Sequence, residues 1–249
     1  MLTQERHRSI LHILDDKDAV TVTELAQLTD TSESTIRRDL VYLDKQGKLR
    51  KVFGGAVTLR QIEGITEKEI TERQSVMSDE KDMIAKYAAS LITDDDFVYI
   101  DSGTTTLRLA EYIGSTKAVF LTNGLLHAQK LISKGLRAYI LGGKIKAKNA
   151  CVAGAEGVNS LAKFNFTKAF IGANGIELSS GYTTPGNEEA IVKEKAIEKS
   201  FTAFILADHS KFRRIFPVTF APISRCSIIT DKLTYSGLAD RTSVKEASL

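Results

Sequence analysis

A short run of hydroxyl and guanidinium side chains near the N-terminus could bind nucleic acid. Residues 32–40 read Ser-Glu-Ser-Thr-Ile-Arg-Arg-Asp-Leu. Hydroxyls and backbone N–H groups at a helix start bind phosphate, and arginine side chains bind guanine edges or phosphates. The run predicts a recognition helix, in which Asp39 is interpreted as a structural residue that pairs with a nearby arginine. The candidate DNA contacts are Ser32, Ser34, Thr35, Arg37 and Arg38.

A basic segment with a glycine pair follows this helix. Lys48, Arg50 and Lys51 precede Phe53-Gly54-Gly55-Ala56, and a glycine pair between two short apolar runs favours a hairpin. We predict a two-stranded wing over residues 49–59, whose three cations contact DNA. Phe53 at the tip is unusual for a solvated turn.

Charge is concentrated where phosphate contact requires it. Residues 1–30 carry three Lys or Arg against six Asp or Glu, whereas residues 31–60 carry seven against three. The whole chain of 249 residues has a formal net charge of only +3. The local excess therefore says more about DNA binding than the total does.

A second polar run could bind an anion. Asp101-Ser102-Gly103-Thr104-Thr105-Thr106 lies between a predicted strand and a predicted helix, and its hydroxyls and helix-start N–H groups suit a phosphate. The run lacks the lysine of a Walker A motif, and no GxGxxG follows a strand, so nucleotide hydrolysis and dinucleotide binding are disfavoured. An ordinary strand–helix turn with an N-cap remains an alternative.

Three helices and a wing would position the N-terminal run. Helical spacing of Ile10 and Leu14 predicts the first helix, a capping box from Thr21 to Glu24 predicts the second, and Ser32 is a good N-cap for the third. The third helix has an apolar stripe that is expected to pack inward, formed by Ile36, Leu40 and Leu43.

Beyond residue 80, short apolar runs alternate with helical stretches. This alternation predicts a mostly parallel sheet covered on both faces, and ligands bind at the carboxyl ends of such strands. The predicted strands are 97–100, 118–121, 138–141, 168–171, 202–206 and 227–229. Residues 60–80, rich in Glu, Lys and Thr, are interpreted as a linker.

Composition disfavours several classes of protein. Cys151 and Cys226 have no partners at metal spacing, which fits a reducing cytoplasm without disulfides and without a metal site. No apolar run reaches membrane-spanning length, and the N-terminus has no signal-peptide pattern. His7 and His12 are expected at the surface of the first helix. We expect a cytoplasmic protein with no metal and no cofactor.

The N-terminal segment resembles the DeoR family of bacterial transcriptional regulators. The residues that carry the resemblance are Thr35-Ile36-Arg37-Arg38-Asp39-Leu40, Leu43, Gly47, Leu49 and Gly54-Gly55-Ala56. The resemblance implies a helix-turn-helix over about residues 20–39 that binds operator DNA. The sequence departs from the family pattern at Thr31, Lys51 and Phe53, where the family often has an aliphatic residue, an arginine and a histidine.

The resemblance extends over nearly the whole chain. Further shared segments include Phe170-Ile171-Gly172-Ala173 and Asp208 with Ser210-Lys211, which recur in the DeoR-family effector domain. That domain is similar in fold to ribose-5-phosphate isomerase. The implied effector-binding residues are Asp101, Ser102, Gly103, Thr104, Thr105, Thr106, Thr122, Asn123, Gly142, Gly143, Asn174, Glu189, Lys193 and Lys211.

The likeness to the isomerase raises the possibility of an enzyme. Its Gly-Ala-Asp-Glu loop supplies carboxylates for proton transfer, whereas Asn174 and Gly175 occupy the matching positions here. Glu194 remains without its carboxylate partners, which implies a sugar-phosphate binder without turnover. Candidate phosphate or hydroxyl contacts, each of which could also be a solvated lysine, are Lys193, Lys195 and Lys211.

We expect an α/β protein with a winged helix-turn-helix DNA-binding domain (1–59), a linker (60–80) and a C-terminal α/β sugar-phosphate sensor and oligomerisation domain (81–249). The resemblance implies a repressor of a sugar phosphotransferase operon, relieved by a phosphorylated sugar such as fructose 1-phosphate or tagatose 6-phosphate. Expected partners are operator DNA, the effector and further copies of the chain in a dimer or tetramer, with no membrane. Two alternatives stay open: an isomerase-like enzyme with an appended DNA-binding domain, and a winged helix that binds protein.

Overall fold

The computed structural model describes residues 2–17, 19–58, 64 and 69–247. The chain divides into two compact units, Met1–Gln61 and Ile62–Leu249, each with its own hydrophobic core. Among the described residues, no helix is both long and apolar enough to cross a membrane.

The N-terminal unit is a winged helix-turn-helix. Its elements in chain order are α1 (Thr3–Lys17), β1 (Ala19–Thr21), α2 (Val22–Leu28), α3 (Glu33–Lys45), β2 (Arg50–Val52) and β3 (Gly55–Val57). The strands form an antiparallel sheet in the order β1-β3-β2. The predicted two-stranded wing is therefore incomplete, because β1 adds a third strand. Close approach of β3 to β1 needs a glycine, since a Cβ on Gly55 would lie 2.2 Å from the Val20 carbonyl oxygen.

Local signals in the N-terminal unit act as predicted. The Thr21 side chain accepts a hydrogen bond from the Glu24 backbone N–H at 3.1 Å, and Ser32 caps α3 through the Thr35 N–H. Gly47 follows α3 with a positive φ of 64°, which favours glycine. The inward stripe of α3 is buried and packs with residues of α1 and α2, the core being Ile10, Leu14, Leu25, Ile36, Leu40 and Leu43.

The C-terminal unit is an α/β domain around a parallel sheet. Its helices are α4 (Ile70–Gln74), α5 (Ser78–Ser90), α6 (Thr104–Tyr112), α7 (Leu125–Ser133), α8 (Ala155–Leu161) and α9 (Asn187–Glu198). Its strands are β4 (Phe97–Ile100), β5 (Val119–Thr122), β6 (Arg137–Ile140), β7 (Ile145–Lys146), β8 (Cys151–Val152), β9 (Phe166–Gly172), β10 (Gly175–Glu177), β11 (Gly181–Thr184), β12 (Ser200–Leu206), β13 (Val218–Ala221), β14 (Ser227–Thr230) and β15 (Val244–Glu246).

Seven of these strands form one sheet in the order β15-β14-β12-β9-β4-β5-β6, and all of its pairs are parallel. Successive residues of a strand point to opposite faces. On β4, Tyr99 packs into one apolar cluster, whereas Val98 and Ile100 pack into another. Burial on both faces explains the continuous apolar runs in the sequence, and the predicted parallel sheet is confirmed.

Two small antiparallel sheets complete the domain. Strands β10, β11 and β13 pair in the order β10-β11-β13, and β7 pairs with β8. Sequence periodicity does not predict these strands, because each has only two to four residues.

Helical structure begins earlier than expected. Helix α4 and the first turn of α5 lie within residues 60–80, for which the sequence predicts a linker. Ile70 is buried, and burial of an apolar side chain holds this part of the segment on the C-terminal unit. Residues 60–63 and 65–68 of the predicted linker lie outside the described part of the chain.

Candidate functional site

Helix α3 presents a polar and basic face to solvent. Ser34, Arg37 and Arg38 are exposed, as the inward stripe requires. The Ser32 hydroxyl lies 3.0 Å from both the Ser34 and the Thr35 hydroxyl oxygens, so three hydroxyls cluster at the helix start. Arg37 forms an ion pair with Glu33 at 2.8 Å, one turn away on the same helix. This surface can donate hydrogen bonds to phosphates and to base edges.

Asp39 is a structural residue of this helix. It is buried, and its carboxylate accepts hydrogen bonds from Arg6 at 2.5 Å and 3.2 Å and lies 2.9 Å from His7 Nε2. Burial acts to raise the pKa of Asp39, but the hydrogen bonds from Arg6 and His7 outweigh it and hold that pKa below its usual value. The prediction that His7 lies at the surface is wrong. Instead His7 is half-buried and stacks on Tyr42, with ring centroids 5.1 Å apart.

The wing presents the predicted cations. Lys48, Arg50 and Lys51 are exposed, and the Lys51 backbone N–H donates to Asp44 Oδ1 at 2.9 Å, which ties the start of the wing to α3. Phe53 at the tip is fully exposed. Helix α3 and the wing therefore supply cations from two adjoining elements of one unit.

A cavity of about 380 Å³ lies in the C-terminal unit, beyond the carboxyl ends of β4, β9 and β12. This is the edge where ligands bind in parallel sheets. It brings together most of the effector residues predicted from the sequence. Those that line it are Asp101, Ser102, Gly103, Thr104, Thr105, Asn174, Glu189, Lys193 and Lys211.

Asp101 and Lys193 form a buried pair on the cavity wall. The Lys193 ammonium donates to Asp101 Oδ2 and, at 3.0 Å, to the Gly172 carbonyl. The same Asp101 oxygen accepts the Gly172 backbone N–H at 3.0 Å. A side chain at Gly172 would place its Cβ 3.3 Å from Asp101 Oδ2. These contacts fix the start of the Asp101–Thr106 loop against the end of β9.

Cationic side chains that sequence analysis did not assign also line the cavity. Arg73 comes from α4, Lys81 from α5, and Arg214 from the chain after β12. Lys81 is buried, and its ammonium donates to the Arg73 carbonyl at 2.5 Å. Burial, together with the charges of Lys211, Arg73 and Arg108, lowers the pKa of Lys81 to about 8, although Asp208 acts in the opposite direction.

The sequence around Arg73 and Lys81 gives little indication that these two side chains line a cavity. Arg73 and Lys81 belong to or adjoin a stretch rich in Glu, Lys and Thr, and such composition is typical of solvated segments. In α5, the buried apolar residues Ile84, Ala85 and Ala88 recur at helical spacing, which is the sequence signal of a packed helix. Lys81 lies on the same buried side as Ile84 and Ala85, because residues three and four apart on a helix share a face.

Glu189 is held at the cavity by a lysine and an asparagine. Lys146 donates to it at 2.6 Å, and Asn149 Nδ2 donates at 2.7 Å. Arg73 in turn donates to Asn149 Oδ1 at 2.9 Å. Helix α4 is thus connected to the floor of the site through Asn149.

Five predicted effector residues do not line the cavity. Thr106 is buried and donates to the Asp101 carbonyl at 2.5 Å, and Thr122 accepts the Gly124 N–H at 3.0 Å. Asn123 donates to the Ser102 hydroxyl at 3.2 Å and to the Val152 carbonyl at 3.1 Å. Gly142 and Gly143 lie near Ser160 and the start of α8. Thr106, Thr122 and Asn123 support the loop and its surroundings without reaching the cavity.

Lys195 and Glu194 also lie elsewhere. Lys195 pairs with Glu198 on α9 at 2.9 Å, and Glu194 is exposed. Neither side chain is among those that line the cavity. Successive residues of a helix point in different directions, which explains why Lys193 reaches the site and its two neighbours do not.

Close packing explains why Asn174 is followed by a glycine and not by a carboxylate residue. The Asn174 side chain accepts a hydrogen bond from the Thr184 hydroxyl at 3.1 Å and faces the cavity. A Cβ on Gly175 would lie 2.3 Å from the Arg214 carbonyl oxygen and 2.7 Å from the Thr183 hydroxyl. In this backbone arrangement, a carboxylate side chain cannot replace Gly175 without moving the main chain.

The cavity combines an excess of cations with groups that bind hydroxyls. Five cationic and two carboxylate side chains line it, and the first backbone N–H groups of α6 have no intrahelical acceptor. Cations and a helix N-terminus attract an anion. Carboxylate, amide and hydroxyl groups in the same wall can bind neutral polar parts of the same ligand.

A winged helix-turn-helix joined to an α/β domain with a cation-lined cavity is the architecture of a DNA-binding regulator with a sensor for a small molecule. Residues 6–61 match the DeoR-like helix-turn-helix domain, and residues 76–232 match the DeoR C terminal sensor domain. The chain belongs to the DeoR family of transcriptional regulators.

Curated relatives match over most of the chain. The "Uncharacterized HTH-type transcriptional regulator FruR" of Bacillus subtilis is 40% identical over 249 residues, covering 98% of each chain. The "HTH-type transcriptional repressor GlcR" of the same species is 32% identical, and the match covers 98% of this chain and 96% of the GlcR chain. The "Lactose phosphotransferase system repressor" of Staphylococcus aureus is 32% identical, covering 85% and 84%.

Among solved structures, ribose 5-phosphate isomerase A from Methanocaldococcus jannaschii is similar over 55% of each chain, with a TM-score of 0.42 and 15% identity.

Proposed function

We propose that this regulator represses a sugar-utilisation operon of the phosphotransferase type and that a phosphorylated sugar relieves the repression. The observation that carries the proposal is the cation-rich cavity of the sensor domain. The exposed hydroxyls and arginines of α3, with the basic wing, are proposed to hold the operator. Sugar-phosphate binding then shifts the protein away from the DNA-competent state.

The phosphate is expected near Lys81. This buried ammonium lies among the charges of Lys211, Arg73 and Arg108, which disfavour its protonated form. A phosphate dianion would relieve that repulsion, because an opposite charge within a few ångströms favours the charged lysine. The N-terminus of α6, which lines the same cavity through Thr104 and Thr105, adds N–H donors for the phosphate oxygens.

The remainder of the ligand is expected to be a sugar. Asp101, Asn174 and Glu189 offer acceptors in the cavity wall, and sugar hydroxyls are donors as well as acceptors. We infer fructose 1-phosphate as the first candidate and tagatose 6-phosphate as the second. The relative in Staphylococcus aureus named as a lactose phosphotransferase system repressor supports an operon of this type.

Thermal stability in the presence of sugar phosphates tests the cavity. Fructose 1-phosphate and tagatose 6-phosphate, added at saturating concentration, should raise Tm, whereas fructose and nucleotides should not, because a ligand stabilises only the state it binds. Lys81→Ala should abolish the shift. The matched control is Lys195→Ala, which removes a lysine that lies outside the cavity and should leave the shift intact.

The pH dependence of binding gives a second measurement. A bound phosphate raises the pKa of Lys81, so the protonated lysine binds more tightly, and affinity should fall as pH rises through about 8. Stabilisation by nucleotides but not by sugar phosphates, or an equal loss in the Lys81 and Lys195 variants, would contradict the proposed effector site.

Binding without turnover is proposed in preference to isomerisation. A base that moves a proton must reach the substrate unencumbered, and Asp101 is engaged by Lys193 and Gly172. Glu194, the carboxylate left from the isomerase-like motif, is exposed. Interconversion of ribose and ribulose phosphates by the purified protein would overturn this part of the proposal.

Homo-oligomerisation completes the proposal. A helix-turn-helix commonly binds DNA as a symmetric dimer whose two recognition helices contact successive major-groove half-sites. We infer a dimer or a tetramer, assembled through the sensor domain. Analytical ultracentrifugation of the full chain, with and without sugar phosphate, measures the state and any change in it.

A further inference from the structure

Phe53 is an apolar side chain displayed at the tip of the wing. Its relative exposure is 108%, compared with 91% for Phe201 and 74% for Leu2, the next most exposed large apolar residues among those described. Full exposure of a phenyl ring forgoes the stabilisation that burial gives. A side chain displayed in this way is available to a partner.

The hairpin holds Phe53 in a defined position. Gly54 adopts a positive φ of 80°, and its carbonyl accepts the Val22 N–H at 2.8 Å. Gly55 packs directly against the Val20 carbonyl, and Lys51 N–H donates to Asp44. The tip is thus fastened to both β1 and α3, so a partner would not have to order a loose loop in order to meet the ring.

The charge around the ring selects the partner. Lys48, Arg50 and Lys51 are exposed just before it, and α3 adds Arg37 and Arg38 in the same unit. Basic side chains at an apolar protein–protein contact would lose their hydration without compensation. The phosphates on both sides of a DNA groove would compensate these basic side chains for their lost hydration. The surroundings of Phe53 therefore fit duplex DNA.

We propose that Phe53 is an apolar wedge that enters the minor groove of the operator beside the major groove occupied by α3. One phosphate backbone separates the two grooves, and Arg50 and Lys51 bind it. The phenyl ring then reaches past this backbone and contacts base edges or opens a base step, as apolar wedges do in minor-groove binders. The inference rests on DNA binding by α3.

This placement gives Phe53 a part in sequence selection. The minor groove distinguishes A·T from G·C pairs only coarsely, but pyrimidine–purine steps unstack and kink more readily than others. Operators should therefore contain such a step on the flank of each half-site where the wing lies. Phe53 would read deformability, whereas Arg37 and Arg38 would read base edges.

The experiment uses the full-length protein and a duplex selected by it from a random pool. Phe53→Ala should weaken binding on the order of tenfold, the cost typical of removing an aromatic contact to a base. Phe53→Leu, which keeps an apolar wedge, should retain most of the affinity. The slope of binding against salt should be unchanged in Phe53→Ala, since no charge is lost, whereas Lys51→Ala should lower it by about one.

Dimethyl sulfate footprinting locates the ring. Adenine N3 lies in the minor groove and guanine N7 in the major groove. Phe53→Ala should lose protection of adenine N3 and keep protection of guanine N7. Phe201→Ala, a matched control that removes another exposed phenylalanine, should change neither.

The outcomes separate this inference from DNA binding itself. If the wild-type protein selects no duplex, the proposed function fails. If the wild-type protein selects a duplex and Phe53→Ala binds that duplex equally well, the proposed role of Phe53 is wrong. Weaker binding by Phe53→Ala with adenine N3 still protected would also show that Phe53 does not enter the minor groove. A change of oligomeric state in Phe53→Ala, measured by ultracentrifugation, would show that the Phe53 ring contacts a second copy of the chain. That result would also overturn the inference.

Discussion

At the scale of single residues, His127 shows how the Asp101–Thr106 loop is supported. It is fully buried, and burial lowers its pKa to about 4 despite the opposing influence of Asp101. Its Nε2 lies 3.0 Å from the Gly103 carbonyl and 3.1 Å from the Thr106 hydroxyl. No hydrogen-bond partner for Nδ1 is found among the described residues. A proton on Nδ1 would therefore lack an acceptor, so the neutral ring is favoured.

We predict that the sensor domain loses stability in mild acid because of His127. Between the ordinary pKa of 6.5 and about 4, the unfolded chain binds a proton that the folded chain excludes, so stability falls as pH falls. The contribution lost between pH 7 and pH 5 should be about 2 kcal/mol. Urea unfolding at both pH values measures it, and His127→Gln should flatten the dependence. An unchanged pH dependence in that variant would contradict the assignment.

At the scale of elements, α3 shows how far local sequence determines structure. The Ser32 cap, the inward stripe and the glycine after the helix all agree with one another. Such agreement between propensity, pattern and capping makes an element predictable. Strand β1 shows no such agreement, because three residues, Ala19–Thr21, are too few to display a hydrophobic period. The strand can pair with β3 because Gly55 has no side chain to collide with the β1 backbone. Its pairing was decided by tertiary contact.

We predict that the exposed arginines of α3 carry operator binding. Arg37→Ala and Arg38→Ala should each weaken it by about 1–3 kcal/mol if they read bases. Fluorescence anisotropy with the selected duplex measures the change. Arg6→Ala serves as a contrasting variant, because Arg6 supports Asp39 inside the unit and its loss should lower the melting temperature of this unit. Full affinity in the Arg37/Arg38 double variant would show that α3 is not the recognition helix.

Helix α4 is the element that the sequence described least well. Its polar composition is that of a solvated segment, yet Arg73 lines the cavity and binds Asn149. The pairing partner lies 76 positions away along the chain. A charged residue's role can be inferred from its spacing only when its partner is near in sequence, and here it is not.

At the scale of the whole molecule, the proposed regulation requires that the effector and operator sites be coupled in both directions. If sugar phosphate lowers operator affinity by some factor, then operator DNA lowers sugar-phosphate affinity by the same factor. We predict that the coupling free energy between the two ligands is about 1–3 kcal/mol. Isothermal titration of fructose 1-phosphate into the protein, with and without saturating duplex, measures one side, and anisotropy measures the other. A factor of one in both titrations would show that the sugar phosphate leaves operator affinity unchanged, which would contradict the proposed relief of repression.

The sequence alone determined the two-domain plan, the helix-turn-helix, the parallel sheet and the family, because each depends on signals that are local or repeated at a fixed spacing. It also predicted a phosphate site at the Asp101–Thr106 loop, whose residues Asp101 to Thr105 line the cavity. Tertiary structure decided which polar side chains share the cavity. Lys193 lines the cavity and Lys195 does not, whereas Thr122 and Asn123 lie behind its wall. Arg73 comes from the segment that was predicted to be a linker, and Lys81 follows directly after that segment. The physical reason is that a charged side chain acquires its environment from residues distant in sequence.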